Sequence, residues 1–202
     1  MNSLYTELRW LPRAPKDFSE RLKRLGNSTD SLGTEIRALA AHALDLNQLT
    51  KLSKAIHTAR AGREPDGKSL SPLIPFRLAV LSNSTVDMIV PALVASAARH
   101  GIALEVIQPA YDQVAQEALN PDSLVNRSKP DAVLLALDHR ALPLKVSPGD
   151  LDLSAATVRG VLGYLQALRA GIKAGSNAVC IVQNFACPVE TIFAAWIVRC
   201  RE

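Results

Sequence analysis

The chain has 202 residues, 48% of them hydrophobic and 21% charged, with 23 basic and 19 acidic side chains and a formal charge of +4. That length holds one domain with a real core and a small appendage, and so mild and scattered a positive excess excludes a nucleic-acid footprint. No apolar run follows a basic start, and the longest runs, such as 132–137, are far too short to cross a bilayer, so the expectation is a cytoplasmic chain with no membrane partner.

The first part reads as helices. Phe18, Leu22 and Leu25 recur at helical spacing within 15–25, and Gly26 can end that helix. Its dense basic stretch, Arg21-Leu-Lys-Arg24, is a solvated helix face. A second helix starts near Asp30 or Ser31 and carries Ile36, Leu39, Ala40 and Ala43. Asp45 caps a third, with Leu49, Leu52, Ile56 and Ala59 on one face. Prolines and glycines between 62 and 75 break the pattern. This gives a helical N-terminal segment and linker over 1–70 and an α/β domain over 71–202.

From Phe76 the chain alternates. Strands are expected over 76–81, 102–107, 131–137 and 178–182, with helices over 85–100, 111–119 and 158–174. Within 85–100 the inward stripe is Ile89, Val90, Leu93, Val94 and Ala97. The third strand, DAVLLAL, is apolar enough for the centre of a sheet. Alternation of this kind predicts a parallel sheet flanked by helices, with right-handed crossovers. Ligands in such sheets sit at the carboxyl ends of the strands. That rule selects 82–85, 108–111, 138–140 and 183–186.

Ser82-Asn83-Ser84-Thr85 lies between a strand and a helix, where backbone N–H groups favour an anion. Two readings of Ser84 stand side by side. With Asp87 three residues on, it has the outline of a helix cap. As a nucleophile it needs a base and an oxyanion site. Of the four histidines, only His139 lies at a strand's carboxyl end, where it also reads as a solvated loop residue. Asp138 is the better polar contributor to the crevice. The binding candidates are therefore Ser82, Asn83, Ser84 and Asp138. The glycines of a phosphate loop are absent, and Cys180, Cys187 and Cys200 lack zinc spacing, so neither a nucleotide loop nor a metal site is expected.

The run from Leu78 to Ser123, LAVLSNSTVDMIVPALVASAARHGIALEVIQPAYDQVAQEALNPDS, and KPDAVLLALDHRAL from Lys129 resemble the N-terminal region of FkbH-like proteins. So do DLNQLTKL from Asp45 and VQNFACPVETIF from Val182, which extends the resemblance from about Leu39 to Phe193. The resemblance implies the haloacid dehalogenase (HAD) superfamily, subfamily IIIC, with an N-terminal region of flavodoxin-like, SGNH-hydrolase-like fold. In that family a HAD domain with a D-x-D-x-T motif, where Mg is expected, follows this region. Characterised members load a glyceryl unit from bisphosphoglycerate onto an acyl carrier protein in polyketide and related biosynthesis.

The same resemblance places Ser82, Asn83 and Ser84 where SGNH hydrolases have Gly-Asp-Ser, with Asp138 loosely matching a later block. The preceding glycine and aspartate are replaced, the closing Asp-x-x-His is missing, and no D-x-D-x-T occurs in the chain. The expectation is a non-catalytic binding or docking module without a cofactor of its own, whose partners are an acyl carrier protein or the HAD domain. The alternative is an ester or thioester hydrolase using Ser84.

The ending from Ala194, AAWIVRCRE, suits the family poorly. Relatives continue after such a phenylalanine with Gly-Ser, and one coding of these residues read a base out of frame gives Gly-Ser-Leu-Asp-Arg-Ala-Val-Pro-Gly. The chain is therefore expected to be the N-terminal piece of a longer protein, shifted in frame near Phe193, with a poorly packed tail and an exposed edge strand.

Overall fold

The computed structural model describes residues 10–25, 32–61, 70–144 and 150–184. The expected helix ends at Gly26 and Asp30 or Ser31, the cysteines Cys187 and Cys200, and the ending from Ala194 lie outside those residues. Three helices come first, α1 (Phe18–Leu25), α2 (Leu32–Ala40) and α3 (Leu46–Ala61). The start of α3 is the capped one that the sequence suggests. Asp45 Oδ1 accepts from the Gln48 N–H at 2.8 Å, and Gln48 Oε1 accepts from the Asp45 N–H at 2.9 Å. Two orphan donors of the first turn are thereby satisfied reciprocally.

The alternating part begins with β1 (Ile74–Ser82), which starts two residues before the expected strand and takes in Pro75. Proline is tolerated near a strand's beginning, where its missing N–H interrupts little of the ladder. Then come α4 (Ile89–Arg99), β2 (Ile102–Ile107), α5 (Val114–Leu119), α6 (Leu124–Ser128), β3 (Ala132–Ala136), a 3-10 turn at His139–Ala141, α7 (Leu151–Ser176) and β4 (Val179–Val182). The four strands form one sheet in the order β2-β1-β3-β4. β1 runs parallel to β2 from Ile74↔Ile102 to Ala79↔Ile107, and β3 runs parallel to β4 from Ala132↔Val179 to Leu135↔Val182. The fold is thus α/β, a parallel sheet flanked by helices and preceded by N-terminal helices. β3, the DAVLLAL strand, is interior, with Ala132, Val133, Leu135 and Leu137 buried. Among the described residues β4 ends the sheet, with Val179, Ile181 and Val182 exposed.

Two helices differ from the sequence expectation. α4 begins at Ile89, four residues later than expected, and its N-cap Met88 makes no side-chain capping bond. The first helical carbonyl is that of Val86, which accepts from Ile89 and Val90. The capping role of Ser84 is therefore not realised, because the 82–84 stretch forms a local turn of its own. Of the expected stripe of α4, Val90, Leu93, Val94 and Ala97 pack on the core together with Ala95 and Ala98, whereas Ile89, in the first turn, is exposed. α7 is longer than expected. Asp150 caps its start, Oδ1 accepting from the Leu153 N–H at 2.9 Å, and Asn177 in the left-handed region (φ 59) closes it.

The described residues divide into two compact units, one of residues up to Ala79 with Thr85–Ile107, the other of Val80–Ser84 with the residues from Gln108 onward. In the first unit the stripes of α1 to α3 meet α4 and β2, and Phe18, Ile36, Leu39, Leu52, Ile56, Val94, Ala95 and Ala98 share one core. There Arg99 donates to the carbonyls of Ala40 (2.8 Å) and His42 (3.4 Å), satisfying acceptors at the end of α2, and stacks over Trp10 at 5.5 Å. In the second unit α7 packs on α5 and α6 through two glycines: a Cβ at Gly171 would meet the Ala118 carbonyl oxygen at 2.5 Å, and one at Gly175 would meet Asn126 at 2.4 Å.

Candidate functional site

Parallel strands all end on one side of a sheet, so β1, β3 and β4 bring Ser82, Asp138 and Gln183 to the same rim. The polar side chains there bind one another. Ser82 Oγ donates to the Ala136 carbonyl at 3.0 Å and accepts from the Ser84 N–H at 3.0 Å. A serine that bonds the backbone two residues on makes a small side-chain turn, which competes with helix formation at that point. Asn83 and Asp138 hold each other reciprocally. Asn83 Nδ2 donates to Asp138 Oδ1 at 2.6 Å, and the Asp138 N–H donates to Asn83 Oδ1 at 3.0 Å. The same carboxylate oxygen accepts from the Arg140 N–H at 2.8 Å, which starts the 3-10 turn. Gln183 completes the rim by donating from Nε2 to the Leu137 carbonyl at 3.1 Å.

The electrostatics follow from these bonds. The Asn83 amide, then the Arg140 N–H, hold the Asp138 carboxyl below its ordinary range; desolvation opposes them, and the charges of His139 and Arg140 add to the lowering. Asp138 is thus an anion at neutral pH, fixed by two N–H donors on one oxygen. Away from the rim, burial pushes the Cys180 thiol up, partly offset by Arg169, so this sulfur is a packing group rather than a nucleophile.

Of the sequence candidates, Ser82, Asn83 and Asp138 meet in one network, and Ser84 enters it through its backbone N–H rather than its hydroxyl. His139 lies in the 3-10 turn that Asp138 caps. The reciprocal Asn83–Asp138 pair is the feature that sequence reasoning did not supply, since it joins residues 55 apart. Among the described residues no group of three or more His, Cys, Asp or Glu side chains gathers as a metal site. Nor is any described helix long and apolar enough to cross a membrane.

With that geometry in place, the comparisons with known proteins are few. No protein-family model matches the sequence. No curated protein matches it. In three dimensions the chain is similar to a crystal structure of the N-terminal part of the protein BF1531 from Bacteroides fragilis, which contains a phosphatase domain and is complexed with Mg. The TM-score is 0.56 at 17% sequence identity, over 77% of this chain and 37% of that one. The chain therefore spans little more than a third of the crystallised chain it matches. At this identity the likeness is one of fold.

Proposed function

We propose that this chain is the N-terminal, SGNH-like module of an FkbH-like, HAD-type protein, and that it binds or docks rather than catalyses. The observation that carries this reading is the closed network at the strand ends. Ser82, Asn83 and Asp138 are engaged with one another and with the backbone, which makes a rigid polar rim. A serine nucleophile needs a base at hydrogen-bonding distance and donors aimed at an oxyanion. Ser84 is instead tied by its N–H, and Asp138 directs its carboxylate at Asn83 and Arg140. The fold likeness to the N-terminal part of a phosphatase-domain protein supports the same reading. The family that the sequence resembles loads glyceryl units onto an acyl carrier protein. The rim then serves as a contact for that carrier or for the HAD domain, and Mg belongs with the HAD domain.

A fluorophosphonate probe tests the proposal. The folded wild-type chain is expected to remain unlabelled by intact-mass spectrometry. Stoichiometric labelling that disappears in Ser84→Ala would overturn it in favour of an ester or thioester hydrolase.

A further inference from the structure

The two halves of α7 behave differently. Its buried residues, Leu168, Ile172 and Ser176, all lie in the C-terminal half. The N-terminal half carries Leu151, Ala155, Val158 and Leu162 at i, i+4, i+7 and i+11, which places them in one line along the helix. This is the spacing of a coiled-coil seam, yet all four face solvent, Leu151 at 84%, Val158 at 58% and Leu162 at 54% exposure. An apolar seam left open in this way marks an interaction surface.

The charges beside the seam select the occupant. Asp152 follows Leu151 and Arg159 follows Val158, so two opposite charges occupy equivalent flanking positions one heptad apart. The other flank carries Ser154 and Val161, which are uncharged. Turning a second copy of the helix over about a twofold axis sets Leu151 opposite Leu162 of that copy and Ala155 opposite its Val158. The same register brings Asp152 against the second copy's Arg159, and the symmetry repeats the pair. A parallel arrangement would align the two Asp152 side chains, and the two Arg159 side chains, at the same level along the seam. The surface is therefore complementary to itself when antiparallel, as a closed twofold interface requires.

We propose that the N-terminal half of α7 is a homodimerisation surface, on which two copies of this chain pair antiparallel through Leu151, Ala155, Val158 and Leu162. Because the C-terminal half already anchors the helix, pairing does not have to nucleate it. Gly160 and Gly163 lie off the seam in open space and take no part.

Sedimentation equilibrium on the full chain tests this. The average mass is expected to rise with concentration from the monomer value to twice it. Val158→Glu and Leu162→Glu, both at exposed positions, are each expected to raise the dimer dissociation constant by at least about tenfold. Asp152→Arg and Arg159→Asp should each weaken the dimer, and the double exchange Asp152→Arg/Arg159→Asp should restore it. A mass that stays monomeric at every concentration overturns the proposal, as does a dimer indifferent to Val158→Glu. A double exchange that fails to restore association overturns the antiparallel pairing.

Discussion

One helix carries four glycines that meet opposite fates, and substituting them by alanine measures its packing directly. Around Gly160 and Gly163 a Cβ meets nothing within 4 Å. Alanine there reduces the freedom of the unfolded chain and leaves the folded state untouched, which is worth about 0.5–1 kcal/mol of stabilisation at each site. At Gly171 the same methyl lands 2.5 Å from the Ala118 carbonyl oxygen and 3.2 Å from its carbon. Backbone cannot rotate away, so α5 and α7 must part by most of an ångström. Overpacking of this kind costs about 1–3 kcal/mol, against which the propensity gain recovers about 1 kcal/mol. Gly171→Ala should therefore destabilise by up to about 2 kcal/mol while Gly160→Ala and Gly163→Ala stabilise. Urea unfolding followed by circular dichroism resolves the difference as shifts of the midpoint in opposite directions at unchanged m-value. If Gly171→Ala moves the midpoint upward as far as Gly160→Ala does, the close approach of α5 and α7 is wrong.

Two further expectations concern polar groups. Asp138 has a folded-state pKa below its ordinary value of 3.8, so its contribution to stability is complete above the unfolded pKa and is lost as pH falls through the folded one. Carbon-detected NMR titration should show Asp138 ionising below that value in the wild type and moving upward in Asn83→Ala; an unmoved midpoint would show that the Asn83 bond does not set it. Asn126 is buried, and its Nδ2 donates to the carbonyls of Glu117 (3.2 Å), Ala118 (3.4 Å) and Asn120 (2.8 Å), tying the α5–α6 connection together. Asn126→Ala is expected to destabilise by about 1–3 kcal/mol in thermal unfolding, and a change below about 0.5 kcal/mol would refute the role of that amide.

What the sequence reveals and what it hides can be traced to the range of the forces involved. Asp45 announces the start of α3 because its partner Gln48 lies only three residues on. The DAVLLAL strand is readable because an interior parallel strand is apolar on both faces. The late start of α4 is not readable, since it depends on Ser82 capturing the Ser84 N–H, a choice made only once Ser82 is also fixed to Ala136. The length of α7 is under-read at its start, because the cap that begins it, Asp150, lies eight residues before the expected first residue, Val158. The residues of the rim could be named from the rule that ligands bind at strand ends. Their mutual engagement could not, because Asn83 finds Asp138 through the arrangement of the strands and not through the chain between them.

The first compact unit is not a continuous stretch of chain, and this bears on how the protein is made. Ribosomes release the polypeptide from its N-terminus, so α1, α2 and α3 emerge before the residues that cover them. Ile36, Leu39, Leu52 and Ile56 share their core with Val94, Ala95, Ala98 and Leu104. Until the nascent chain has passed β2, which ends at Ile107, those stripes have only one another to pack on and stay open to chaperones. A stop codon or a stalled ribosome near residue 70 would therefore yield helices lacking the part of their core that α4 and β2 supply, a target for quality control.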